Sequence, residues 1–319
     1  MKSDMARRPS YYILAALSLI CAASISSCAK PRNPQLYLYE EKPSSSSSTA
    51  SQDVSSELAE SDPAPEPRKK AIPDGFEEYY DTNPDLVGWL SIAGLDVPVV
   101  QGRDNDEYLT KNFDGTEARY SETVFADFRC DLSDPSPQNM ILYSHNLQSG
   151  DGFARIARYY PWYGSQSGST YFYKENPIIG YSDFYGSGEP ERYAIFAAAY
   201  LTMDKSDPYF VDFSEYMSIS DKAEFTDFAV AVFDRSVFYN DSIDIGYGDR
   251  IIALSTCLSL LGDAYDTRFV VFAKLLSEND AFDPEAVEIN PDPLYFRAYH
   301  DMMGTEWGGR NWDPDLIRH

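Results

Sequence analysis

Histidine is the scarcest reactive residue in this chain: 319 residues hold three, His145, His300 and His319. Cysteine is nearly as rare, at four, with no CxxC pair and no Cys/His cluster of zinc-like spacing. A structural metal site is therefore not expected. Basic residues are few as well, 26 against 51 acidic ones, for a net charge of −25. Without a basic stripe to neutralise phosphates, nucleic acid is excluded as a partner. No internal repeat is present. What the chain does have is apolar and aromatic mass, 43 % and 15 % of residues, enough for a packed core.

The two ends differ in kind from the middle. Residues 1–28 read as an export segment, with Lys2, Arg7 and Arg8 ahead of an apolar run over 11–27. That run is at the lower limit for spanning a membrane. It closes on Ile25-Ser26-Ser27-Cys28, which resembles the lipobox of bacterial lipoproteins, with Cys28 as the lipidated residue. Signal anchor and lipoprotein both stand open. In either case the chain is expected on the extracytoplasmic face of the cell membrane, tethered through its N-terminus. Residues 29–72 are rich in Ser and Pro and cannot bury a core, so they are expected to be a disordered tether. The folded domain is expected over 73–276. Residues 277–319 form a C-terminal extension that holds Trp307 and Trp312 and suggests no chemistry.

Within the domain, β-favouring runs predict strands near 88–92, 96–101, 122–128, 139–144, 178–184, 192–202, 250–256 and 268–276. Eight strands with few helices indicate a mainly β fold, a barrel or a sandwich. Short helices are expected before Asn83-Pro84 and around 106–112 and 152–160. The clearest helix is SDKAEFTDFAVAVFDRSVF, with Ser220 as the expected N-cap and Ala223, Phe225, Phe228, Ala229, Val232 and Phe233 as its apolar stripe. Such a stripe is core packing.

The stretch IIALSTCLSLLGDAYDTRFVVFAKLL, residues 251–276, carries the chemistry. Cys257 ends one predicted strand and Arg268 opens the next. On neighbouring strands both project from one edge of the sheet, and a cysteine beside a fixed positive charge is activated as a nucleophile. His145, the only histidine of the domain, follows the strand NMILYS. Together the three supply a nucleophile, an acid/base and an oxyanion stabiliser for acyl transfer. Taken singly, each has a plainer reading: a buried small hydrophobe, a structural histidine, a surface charge. Cys130 adds another, because an exported Cys130–Cys257 disulfide would silence the nucleophile. A peptide-binding module without turnover is also open.

The stretches NPDLVGWLSI, DVPVVQGRDNDEYL, NMILYSHNLQSGDGFARI, ERYAIFAAAY, IIALSTC and TRFVVFAKL resemble, in that order, the sortases of class B, cysteine transpeptidases of Gram-positive cell surfaces. The resemblance spans roughly residues 75–276, and ALSTC followed by RFVV is its most specific part. It implies an eight-stranded sortase-like β-barrel with short helices and one longer helix between the sixth and seventh strands. It implies His145, Cys257 and Arg268 as catalytic residues, and Asn105, Leu109 and Ser255 as residues of the substrate groove. Implied partners are surface proteins bearing a C-terminal sorting signal and an amine acceptor, in peptidoglycan or on a pilin lysine. The implied activity is thiol peptidase-type cleavage and transfer through a thioacyl intermediate, which requires no cofactor. Three departures stand out: Tyr143-Ser144-His145 replaces Tyr-Gly-His, Leu258 follows the cysteine where class B usually has a polar or acidic residue, and the Cys–Arg connection LSLLGDAYDT is apolar at its start.

Overall fold

The computed structural model describes residues 67–318 apart from 135–138, 162–165 and 263. The export segment, Cys28 and most of the tether lie outside the described residues. Among the described residues, no helix is long and apolar enough to cross a membrane.

Helix α1 (Glu77–Thr82) leads into β1 (Leu86–Ile92) and β2 (Leu95–Val100), an antiparallel pair turning at Ala93-Gly94. Strands β3 (Val124–Ala126) and β4 (Asn139–Tyr143) follow, then α2 (Gln166–Glu175), β5 (Ile178–Asp183) and the long β6 (Pro190–Thr202). Helix α3 (Lys222–Arg235) runs directly into β7 (Ser236–Asn240), followed by the short β8 (Ile245–Gly246). Strands β9 (Ile251–Cys257) and β10 (Thr267–Leu275) carry the cysteine and the arginine. Beyond them lie β11 (Val287–Ile289), α4 (Arg297–Met303) and β12 (Ile317–Arg318).

The sheet runs β10-β9-β4-β3-β2-β1-β5-β6, and β6 pairs again with β10, closing an eight-stranded barrel. Strand β6 makes the closure possible because it is long. One edge binds β10 along residues 193–202, while the other is shared between β5 at its start and β7 near Ala197 and Ala199. Its run of buried alanines lets Phe228, Phe233 and Phe272 pack closely around it, with Phe196 and Phe233 5.7 Å apart.

All eight expected barrel strands form. The longer helix lies between the sixth and seventh strands of the barrel, but its ends differ from expectation. Asp221, not Ser220, is the N-cap: its carboxylate accepts from the N–H groups of Ala223 and Glu224. Ala223 is exposed, and the helix stops at Arg235 because Ser236 is already extended and paired with Ala199. The expected helix over 106–112 is a single 3-10 turn, Glu107–Leu109, and the one over 152–160 is a 3-10 segment, Phe153–Tyr159. Strands β7, β8, β11 and β12 are additions. They lie outside the barrel and are built with the chain after Leu276, β11 on β7 and β12 on β8.

Candidate active site

The register of three strands decides where the reactive side chains stand. Strand β9 lies parallel to β4 with Tyr143 opposite Ser255, and antiparallel to β10 with Cys257 directly opposite Arg268. Directly opposed residues of an antiparallel pair project from the same face with Cβ atoms about 5 Å apart. Side chains repeat every second residue, so from the Tyr143–Ser255 pair the next same-face positions are 145 and 257. Histidine, cysteine and arginine therefore meet at one end of three adjacent strands.

Local bonds hold that end in place. The Thr256 hydroxyl donates to the Ser144 carbonyl at 2.8 Å, and Asn146 Nδ2 donates to the Cys257 carbonyl at 3.1 Å. The loop after His145 folds back so that Phe153 N–H donates to the His145 carbonyl at 2.8 Å. This return requires Gly152, at φ +59°: a Cβ there would stand 2.8 Å from Ser144 Oγ and closer still to the His145 carbonyl oxygen. A groove of about 260 Å³ opens over the three residues. Its lining includes all six residues singled out in the sequence: Asn105, Leu109, His145, Ser255, Cys257 and Arg268.

His145 is 7 % exposed, and Nε2 lies 2.9 Å from the Leu109 carbonyl oxygen. A carbonyl can only accept, so Nε2 carries a proton and Nδ1 is the nitrogen that exchanges one. Tyr120 packs edge-on against the ring at 5.6 Å. Burial holds the imidazole pKa below its ordinary 6.5; the Leu109 bond opposes this and the Arg268 charge adds to it. Arg268 Nη1 is ion-paired with Asp266 and also donates to the Thr267 carbonyl at 3.1 Å. Cys257 is half-buried, and neither it nor Cys130 is in a disulfide. Cys130 sits in the core, where its Sγ is 3.4 Å from Met217 Sδ and burial pushes its pKa up to about 12. Such a thiol is inert.

No protein-family model matches the chain. It is similar to sortase B of Staphylococcus aureus, 32 % identical over 209 residues, covering 63 % of this chain and 74 % of that protein. The chain belongs to the class B sortases. Its activity class is accordingly that of a sortase-type transpeptidase. Among solved structures, a Staphylococcus aureus sortase B–substrate complex matches with TM-score 0.51 and 29 % identity, over 64 % of this chain and 85 % of that one. A sortase B complexed with triglycine matches with TM-score 0.51 and 28 % identity, over 64 % and 86 %.

Against that family, the first two departures have physical explanations. Ser144 stands where the family has glycine, and its hydroxyl donates to the Glu122 carbonyl at 3.0 Å, tying the His145 strand to the chain before β3. Leu258 is 3 % exposed and belongs to the core, so the residue after the cysteine faces away from the groove. Asn105 lines the groove with its amide already engaged: Nδ2 donates to Asp127 and Oδ1 accepts from Phe128 N–H. Asp127 is fully buried. Burial disfavours its charge, but the Arg129 pair and the Asn105 bond outweigh that, and its carboxyl stays below the ordinary range. Ser255 Oγ is buried in the groove lining and has no hydrogen-bond partner among the described residues.

Sequence reasoning missed Met203, Asp212, Phe213 and Ser214, which also line the groove. Asp212 caps the 3-10 turn Phe213–Met217 by accepting from Ser214. The string DFS carries that cap signal, but nothing in it says which surface the turn will cover.

Proposed function

We propose that this class B sortase cleaves a C-terminal sorting signal through a thioacyl intermediate on Cys257 and transfers the protein to an amine. The observation that carries the reading is the direct cross-strand pairing of Cys257 with Arg268, with His145 at the end of the neighbouring strand. The Cys257 thiolate attacks a peptide carbonyl, and Arg268 hydrogen-bonds the oxygen that gains charge. The C–N bond then breaks, the leaving amine takes a proton from His145 Nδ1, and a thioester remains. An incoming amine attacks the thioester and gives a proton back to Nδ1, and the thiolate leaves. Burial lowers the imidazole pKa and so disfavours the imidazolium that protonates the leaving amine.

The donor class is a surface protein bearing a sorting signal, in keeping with the substrate-bound relative. The acceptor is a primary amine of peptidoglycan or a pilin lysine, in keeping with the relative bound to triglycine. The peptide would lie over Cys257 in the groove lined by Asn105, Leu109, Met203, Phe213 and Ser214. The enzyme would work on the extracytoplasmic face, tethered through residues 1–72.

The test is intact mass spectrometry of the full chain after incubation with a sorting-signal peptide library, beside Cys257→Ala. A thioacyl adduct and cleaved peptide in the wild type, both absent from the variant, are the expected result. A reactive Cys257 that forms no adduct with any member of a library covering the signal class would make the protein a peptide-binding module.

A further inference from the structure

We infer that the C-terminal segment, residues 290–316, braces the connection between Cys257 and Arg268, with Tyr200 as the positioning residue that transmits the hold. The inference rests on the transpeptidase reading above, because it assigns a role in that reaction to residues outside the groove.

Tyr200 lies on β6 opposite Phe269, with β10 between it and the cysteine's strand. Its hydroxyl oxygen accepts from Leu260 N–H at 3.2 Å and lies 3.2 Å from Thr267 Oγ1. Thr267 has one hydroxyl proton and donates it to the Leu258 carbonyl at 2.6 Å. Tyr200 must therefore be the donor to Thr267. The relay from Leu260 N–H through Tyr200 and Thr267 to the Leu258 carbonyl stitches together both sides of the connection. It takes in Leu258, one residue after the nucleophile, and Thr267, one residue before the arginine.

The ring of Tyr200 is clamped from behind by the C-terminal segment. Phe296 stands 5.2 Å from it, and Tyr295 and Tyr299 stand 6.4 and 6.3 Å away, all edge-to-face. Tyr295 and Tyr299 stack on each other at 4.0 Å. The segment is clipped on both sides of α4. Before it, Leu294 N–H donates to the Asp234 carbonyl and Asn290 Nδ2 to the Ser236 carbonyl, both at 2.7 Å. After it, Arg310 Nε and Trp312 Nε1 each donate to the buried Asp234 carboxylate at 2.7 Å. The same segment also reaches the loop between Met203 and Asp212, where Arg297 N–H donates to Asp207 at 2.8 Å. Met203 N–H in turn donates to the carbonyl of Asp266, the ion-pair partner of Arg268. One piece of chain thus packs behind Tyr200 and bonds to the loop after Met203, without itself lining the groove.

Tyr200→Phe keeps every ring contact and deletes the hydroxyl. Leu260 N–H then loses its acceptor, and the turn after Cys257 loosens. The expected result, in the full chain, is a fall of about threefold to tenfold in kcat/KM for the sorting peptide, carried mainly by kcat. It comes with a changed rate of iodoacetamide alkylation at Cys257, measured where both proteins are fully folded. Phe296→Leu loosens the clamp from outside and should move both readouts the same way by less. If both variants match the wild type in kcat/KM and in alkylation rate, whatever their Tm, the brace is wrong and these groups serve stability alone. If the wild type itself forms no thioacyl adduct, the transpeptidase reading fails, and the alkylation comparison still decides the brace.

Discussion

Three side chains from three strands meet because of register, and each can be tested for what its geometry implies. Arg268 offers a planar fork of donors beside the nucleophile, where a lysine would keep the charge and lose the fork. Arg268→Lys should lower kcat/KM for peptide about 100-fold or more, the scale of losing an oxyanion donor, while leaving the urea midpoint within the scatter of surface substitutions. Equal turnover would mean that charge alone suffices. His145 gives a pH prediction of definite sign. Its folded pKa is lowered, so between that value and 6.5 the unfolded chain binds more protons than the folded one. Stability is therefore lost as pH falls through that window. Comparing urea midpoints at about pH 7.5 and about pH 5.5 should show a smaller drop for His145→Asn than for the wild type. At this scale the sequence was most legible: His145, Cys257 and Arg268 were marked by residue type and strand position, and the structure brings them into one groove. What could not be read was direction. That Leu258 turns into the core and that Asn105 spends its amide on Asp127 depend on neighbours far along the chain.

Elements were legible where their burial pattern is regular and obscure where packing overrides propensity. The barrel strands announce themselves as apolar runs. Helix α2, QSGSTYFYKE, does not, since Ser, Gly and Thr favour other conformations. It is held by Phe172 packed 4.8 Å from Tyr159 and by Tyr173 packed 5.2 Å from Phe238. Likewise RSVF reads as the end of a helix, but Ser236–Phe238 join β7 because the edge of β6 beside Ala197 and Ala199 is unpaired without it. The start of α3 is the sharpest case, because Ser220 and Asp221 both have capping side chains. Only Asp221 accepts from helical N–H groups; Ser220 instead donates from its N–H and hydroxyl to Glu224. Asp221→Ala should therefore cost about 1 kcal/mol, read as a lower urea midpoint at constant m-value. Ser220→Ala should cost a few tenths. The reverse order would return the cap to Ser220.

At the scale of the whole molecule, the segment after Leu276 is where sequence reading stopped: its 43 residues held no motif. Its contacts are tertiary and scattered, an Asp–Arg–Trp cluster, two short strand pairings and a group of rings, none with local periodicity. Together they tie it to α3, β6 and β7, elements in the middle of the chain. If these ties make it one unit with the barrel, probes at the two places must report a single transition. In a chain carrying Trp89→Phe and Trp162→Phe, the fluorescence change of Trp307 and Trp312 and the exposure of Cys130 to a thiol reagent should then share one urea midpoint. Asp234→Ala removes the acceptor of three donors and leaves the Trp312 N–H buried without a partner. It should lower stability by about 2–3 kcal/mol, the scale of lost bonds to a charged group. If the two probes still coincide in that variant, the segment and the barrel are one cooperative body. If tryptophan fluorescence shifts at a lower urea concentration than Cys130 becomes reactive, the segment is a separate unit docked on a barrel that stands without it.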